Sequence, residues 1–372
     1  MNAVVSTAGG AVERIAVRVY TVPTDTPEAD GTLAWDRTTL VLAEAVSGPH
    51  TGLGWTYGAP ATAAVIGQEL APVVTGRDPH DTSGAQEAMS RAVRNTGRPG
   101  LVAGAISAVD LALWDLRGHL LGLPLARLLG GAARPVRVYG SGGFTTYSAG
   151  RQESQLRHWT EEQGIPRVKI KIGEDRGTRE RRDLRRVSAA RAAVGDRVEL
   201  YTDANGAYRR KQAVRIAAAL TGAGVTWFEE PVSSDDLAGL RSVRDAVAPD
   251  VTAGEYGYDL AYFARMAPCV DCLQADATRC GGLTGWLRTA ALAEAHGLDV
   301  SAHCAPHLHA HAAAAVPNCR HLEWFHDHVR VERLLFDGTL DPAGGTVTPG
   351  ADGTPGHGLR LAPVRAAEYR VA

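Results

Sequence analysis

The sequence has no polybasic block, no apolar run long enough to cross a membrane, and too few cysteines for a disulfide framework. Among 372 residues, 39 Lys and Arg stand against 41 Asp and Glu, well interspersed, for a formal charge of −2 at pH 7. Without a basic stripe, neither nucleic acid nor an anionic membrane surface is an expected partner. No uninterrupted apolar stretch reaches about 18 residues. The start, MNAVVSTAGGAVERIAV, lacks the charged opening and apolar core of a signal peptide, so a soluble cytoplasmic protein is expected. The five cysteines, Cys269, Cys272, Cys280, Cys304 and Cys319, are odd in number and confined to one third of the chain, which argues against disulfides. The CVDC at 269–272 has no second CxxC to complete a structural zinc site. A small, neutral or metal-bound partner remains, and 45% apolar content suffices for one large core and a smaller one.

From residue 135 onward, short β-branched or aromatic runs alternate with Ala/Leu/Arg-rich segments of helical period. The runs predict strands near 135–140, 167–172, 198–203, 225–230, 251–255, 270–276, 299–303 and 321–325. Helices are expected near 149–163, 176–193, 209–222, 234–246, 259–267, 282–296 and 306–316. Eight strands joined by seven helices suggest an α/β protein with a closed parallel barrel, (β/α)7β, over 135–339. Residues 1–134 read as a separate α+β unit, strands first and helices after. The Gly- and Pro-rich tail, 340–372, is too irregular to continue the barrel and is expected to pack back on that unit.

In a parallel barrel, chemistry sits where strands end and βα loops begin. Strands two to eight end on Lys171, Asp203, Glu229, Glu255, Asp276, His303 and Glu323, one ionisable residue each. Asp203, Glu229 and Glu255 follow one another at 26-residue steps, which suggests equal depth on consecutive strands. Three carboxylates held together in a low-dielectric site would repel one another unless a cation lay among them. All-oxygen ligation favours Mg²⁺, one per subunit. In RVKIKIG, side chains alternate, so Lys169 and Lys171 face inward while Val168, Ile170 and Ile172 face the helices. Two adjacent ammonium groups should depress one another's pKa, making one a usable base. Asp276 would orient His303 as a second base, and Glu323, if protonated, would donate to a developing oxyanion. Of the further histidines, His307 and His326 are candidate substrate contacts.

Together, KIK at 169–171, DAN at 203–205, EEP at 229–231, GE at 254–255, DATRCGGLTGW at 276–286, SAH ending at His303 and LEW around Glu323 resemble the mandelate racemase subgroup of the enolase superfamily. The segment at 105–131 resembles the helix that leads from that family's capping domain to its barrel, so the resemblance spans nearly the whole chain. It implies a capping α+β domain over a modified TIM barrel, Mg²⁺ on the three carboxylates, and abstraction of the proton α to a carboxylate through an enediolate. Lys171 would be one base, Lys169 its carboxylate-binding neighbour, and Asp276–His303 the opposing acid/base; Asn205 and Ser141 would touch the substrate. The implied reaction is dehydration of an aldonate or aldarate to a 2-keto-3-deoxy acid. Racemisation or epimerisation is the alternative, and a non-catalytic metal-stabilised binding barrel is the alternative of another class. A homo-oligomer, dimer to octamer, is expected.

Substrate choice should lie in two stretches expected to be mobile lids, 22–35 and 48–58, with Trp35, Trp55 and Tyr57 as aromatic anchors.

Overall fold

The computed structural model describes residues 10–372. The chain begins with an antiparallel meander, β1 (Arg14–Ala29), β2 (Ala34–Ser47) and β3 (His50–Tyr57), paired in that order. A helical stretch at 62–74 and helices Thr82–Ala92 and Leu101–Leu121 follow. The last of these is an Ala/Leu-rich run of 21 residues closed by Gly122 in the left-handed conformation. It is buried on nearly every side because it lies between two cores. Val109, Ala112, Leu113 and Leu116 pack with β2, while Leu111 and Trp114 join the barrel core.

The barrel strands are β4 (Val136–Gly142), β5 (Arg167–Lys171), β6 (Glu199–Asp203), β7 (Val225–Glu229), β8 (Asp250–Ala253), β9 (Cys272–Ala275), β10 (Asp299–Ala302) and β11 (Cys319–Phe325). Each pairs in parallel with the next, and β11 closes onto β4 with Glu323 opposite Tyr139. Val168, Ile170 and Ile172 join the core against the helices, and both lysines of β5 are buried inside. Lower in the barrel, Tyr139, Tyr201, Trp227 and Cys272 cluster, with His321 packed edge-on to Trp227 at 5.0 Å between ring centres. This aromatic layer floors the polar mouth.

One helix absent from the sequence reading, His326–Leu335, follows the eighth strand. The tail makes contacts of two kinds. Val19 and Thr21 on β1 donate to Ala372 and Tyr369 carbonyls (2.9 and 2.8 Å). Thr346–Val347, by contrast, pairs antiparallel with the start of β4, so part of the tail belongs with the barrel. All five cysteines are free, as expected for a chain with no disulfide framework.

The expected lids are a correction. Most of 22–35 is strand, and only residues 30–33 form a loop, held at the barrel mouth by Arg176 N–H donating to Gly31 O (2.9 Å). Most of 48–58 is β3, where Trp55 is fully buried and stacks on Phe336. The turn-forming residues of 48–58 lie on a strand packed against helix Leu101–Leu121, whereas those of 22–35 form the tip of the β1–β2 hairpin over the barrel mouth.

That helix also clamps the first turn of helix Gly282–Ala295, which begins just after the site residues of β9. Ser107 Oγ accepts from Gly281 and Gly282 N–H (2.9 and 3.2 Å), and Asp110 accepts from Thr284 N–H and O–H (3.1 and 2.6 Å). Donors that a helix start leaves without intrahelical partners are thus satisfied across the seam. Gly282 and Gly297 both have positive φ, 76° and 69°, yet a Cβ would lie 2.0 Å from Asp110 Oδ1 at Gly282 and meet nothing within 4 Å at Gly297. Gly297→Ala should therefore cost about 1–2 kcal/mol of backbone strain, and Gly282→Ala at least about twice that. Urea-unfolding midpoints check this; equal midpoints would show that the seam does not constrain the fold.

Candidate active site

The inward side chains of β5, β6 and β7 converge at the carboxyl end of the barrel. Lys171 and Asp203 are register partners, as are Asp203 and Glu229. Lys169 Nζ lies 2.6 Å from Glu229 Oε1 and 2.7 Å from Glu323 Oε1, and Lys171 Nζ donates to Asp203 Oδ2. Asp203 Oδ1 accepts from Asn205 N–H (2.8 Å), and Glu229 Oε2 from the Trp227 indole (3.0 Å).

Glu255 reaches the group by another route than equal depth. Glu229 pairs with Thr252, and β8 ends at Ala253, so Glu255 lies three residues beyond its neighbour's level. Gly254 makes the turn, with φ 137° and a missing Cβ that would otherwise lie 2.2 Å from Gln274 O. This close approach folds Glu255 back over the barrel. Asp203, Glu229 and Glu255 each offer one carboxylate oxygen within 4.8 Å of the other two. Burial, then the charge of Asp203, pushes the Glu229 carboxyl up to about 8. Glu255 Oε2 is buried with no hydrogen-bond partner. Crowded, buried, under-partnered oxygens are a donor set that fits a hard divalent cation such as Mg²⁺.

Two electrostatic expectations need correction. Burial lowers the pKa of both lysines and Lys169 further lowers Lys171, but the surrounding carboxylates outweigh this and hold both above the ordinary lysine value. Glu323 is ionised: burial opposes its charge, yet Lys169 and His303 pull it well below the usual range. It accepts from Ser141 Oγ (2.6 Å) and Cys304 N–H (2.9 Å), so it is an acceptor and not the donor expected.

Opposite the lysines, Asp276 Oδ2 holds His303 Nδ1 at 2.9 Å, and Thr278 N–H anchors the other carboxylate oxygen at 2.7 Å. His303 Nε2 points to Glu255 Oε2 (3.4 Å) and Cys304 Sγ (3.3 Å). Burial lowers the pKa of this imidazole, but Glu255 and Asp276 raise it above the ordinary value.

A cavity of about 200 Å³ opens between the barrel mouth and the N-terminal sheet, lined by Lys171, Asn205, Glu255, His303 and Trp35 among others. Ser141 is buried behind it on Glu323. Tyr57 is likewise a backing residue, its hydroxyl on Glu332 and its ring stacked on His328, which does line the cavity. His307 and His326 are corrected outright. His307 is buried and paired with Glu332, while His326 binds Asp25 (3.1 Å) in a separate groove. The sequence reading passed over Arg279, Tyr256, Cys304, His328, Asp30 and Arg37, all in the cavity wall. Of these, Arg279 carried a signal, three residues after Asp276 in the same loop; Arg37 and Asp30 come from the sheet, and no local pattern marks them.

Family models match both parts of the chain: the mandelate racemase / muconate lactonizing enzyme N-terminal domain over residues 18–130 and the enolase C-terminal domain-like family over 152–365. The chain belongs to the mandelate racemase group of the enolase superfamily. A mandelate racemase/muconate lactonizing enzyme-like protein from Rubrobacter xylanophilus superposes with a TM-score of 0.94 at 51% identity, covering 97% of this chain and all (100%) of that one. L-talarate/galactarate dehydratase of Salmonella typhimurium LT2 is 29% identical over 89% of this chain and 86% of its own length. Its structure liganded with Mg and L-lyxarohydroxamate superposes with a TM-score of 0.89 at 27% identity, covering 100% of this chain and 96% of that one. 3,6-Anhydro-alpha-L-galactonate cycloisomerase of Streptomyces coelicolor is 31% identical over 94% of this chain and 97% of its own length. Structural relatives, the Salmonella enzyme among them, were solved with bound magnesium. No helix among the described residues is long and apolar enough to cross a membrane.

Because Gly254 alone permits the turn that delivers Glu255, Gly254→Ala should weaken Mg²⁺ binding at least about tenfold, as Glu255→Gln should, with Asp203 and Glu229 intact. Isothermal titration with MgCl₂ reads this. Unchanged affinity in both variants would remove Glu255 from the ligand set.

Proposed function

We propose that the protein is a magnesium-dependent hydro-lyase that removes the proton α to the carboxylate of a sugar acid, an aldonate or aldarate, and expels the β-hydroxyl as water to give a 2-keto-3-deoxy acid. The observation that carries this reading is that Lys171 and His303, on strands well apart around the barrel, line one cavity beside Glu255. The likeness to a protein named L-talarate/galactarate dehydratase supports it.

Asp203, Glu229 and Glu255 would hold Mg²⁺, which when bound supplies positive charge against the negative charge that builds on the substrate carboxylate as the α-proton leaves. Lys169 supplies a second positive charge, held in place by Glu229 and Glu323. Lys171 in its neutral form takes the α-proton from its face of the cavity, and any partner that draws Asp203 away lowers its pKa toward that form. His303 serves the opposite face. Asp276 fixes its Nδ1, leaving Nε2 toward the cavity, and the neighbouring carboxylates keep the imidazolium populated near neutral pH so that it can protonate the departing hydroxyl.

Two-base epimerisation needs the same pair of groups without a leaving hydroxyl, so the products decide between them. With Mg²⁺ and a panel of aldonates and aldarates, the wild type should form a keto acid from at least one member, and chelation should abolish it. In D₂O, His303→Asn should lose keto-acid formation by at least about 100-fold yet still exchange the α-proton, while Lys171→Ala should lose both. Epimer without keto acid would favour the second reading, and no turnover across the panel would overturn the first.

A further inference from the structure

Beside the three carboxylates, a second set of donors meets on the other wall of the cavity, and its chemistry differs. His303 Nε2 lies 3.3 Å from Cys304 Sγ, Cys304 Sγ lies 3.4 Å from Glu323 Oε2, and Glu323 Oε2 lies 3.8 Å from His303 Nε2. We propose that these three atoms form a second metal site, selective for a borderline-soft divalent cation such as Zn²⁺, whose occupation blocks His303. The inhibitory part rests on the proton-transfer role given to His303 above; the binding part does not.

The triangle has the dimensions that zinc requires. Zn–N, Zn–O and Zn–S bonds of about 2.0–2.3 Å put tetrahedral ligands about 3.3–3.7 Å apart. Asp276 takes His303 Nδ1, which leaves Nε2 outward; Lys169 and Ser141 occupy Glu323 Oε1, while Oε2 accepts only from Cys304 N–H (2.9 Å) and keeps a second lone pair for a metal. Cys304 and Ala305 both have positive φ, 49° and 38°. Two successive non-glycine residues in that region cost energy, and here the turn sets the thiol between the imidazole and the carboxylate. Glu255 Oε2, buried and without a hydrogen-bond partner, faces the same imidazole nitrogen at 3.4 Å. It adds a further carboxylate oxygen beside the place where the second cation would sit.

Ligand softness keeps the two sites distinct. Thiolate and imidazole suit Zn²⁺, whereas Mg²⁺ demands oxygen ligands and binds sulfur poorly. Burial and then the neighbouring carboxylates hold the free Cys304 thiol in its protonated form, and the charge of Zn²⁺ would offset those carboxylates. Binding displaces to solvent both the Cys304 thiol proton and the Nε2 proton of the His303 imidazolium, and it places the metal on the nitrogen that His303 uses. Both His303 and Cys304 line the cavity, so the ion has an approach.

Co²⁺ is the probe, added to the full chain with Mg²⁺ saturating. A sulfur-to-cobalt charge-transfer band should appear in the near ultraviolet, vanish on adding Zn²⁺, and be absent from Cys304→Ser and Cys304→Ala. In the wild type, Zn²⁺ should slow iodoacetamide labelling of Cys304 at least tenfold, a measurement independent of how the variants fold. Where turnover of a sugar acid is found, Zn²⁺ should inhibit without relief by further Mg²⁺, and at least tenfold more weakly in Cys304→Ser. No sulfur band, a band that survives in both variants, unchanged labelling, or inhibition reversed by Mg²⁺ would each overturn the site. The band and the labelling need no substrate, so a protein that turns over no sugar acid could still show them.

Discussion

The mouth of the barrel gathers more buried negative charge than a low-dielectric interior tolerates, and the surrounding architecture is arranged around that excess. Asp203, Glu229, Glu230, Glu255, Asp276 and Glu323 are all buried, against the ammonium groups of Lys169 and Lys171, the guanidinium of Arg279 and one imidazole. Each carboxylate is tied down by a different device. Asp203 takes a backbone N–H and a lysine, Glu229 an indole and a lysine, Asp276 a histidine and a backbone N–H, Glu323 a lysine, a serine and a backbone N–H. Glu255 is the least satisfied, and Glu230, whose carboxyl burial and Glu255 push well above the usual range, keeps an unpartnered oxygen. Carboxylates crowded and buried in this way favour a cation among them.

The floor and the seam are the mechanical counterpart of this electrostatics. Ring side chains from β4, β6, β7 and β11, packed with Cys272 of β9, fill the barrel interior beneath Lys171 and the carboxylates, so the charged layer above has a packed base. From the other side, helix Leu101–Leu121 belongs to two cores at once and caps the helix that starts behind Asp276. The N-terminal unit therefore contributes to the site in two ways. Its sheet and hairpin loop send Trp35, Arg37 and Asp30 into the cavity wall, and its long helix fixes the end of the loop that carries Asp276 and Arg279. A specificity surface and a stabilising clamp are built from one unit, which ties the choice of substrate to the stability of the fold.

The two faces of the cavity differ in hardness. Toward β6, β7 and β8 the donors are all oxygen, while toward β10 and β11 they include imidazole and thiol. The same closed strand order that brings Lys171 and His303 to one cavity thus sorts metal chemistry by wall. His303 is the shared point, since it faces Glu255 on one side and Cys304 on the other.

Much of this was determined by local pattern. Period-two alternation in RVKIKIG sent both lysines inward, the alternation of strand and helix located eight strands to within about two residues of each end, and an ionisable residue within two residues of the end of each of the last seven strands marked the rim. Tertiary structure alone decided the rest. Even spacing along the chain did not set the depth of Glu255, because a turn at Gly254 and its close approach to β9 did. The ionisation of Glu323 depended on Lys169 from a distant strand, and the fates of His307 and His326 depended on which way each ring left its helix. Sequence records where a side chain sits along its own element; which charges and surfaces lie across from it is a property of closure, and closure is what tunes the site.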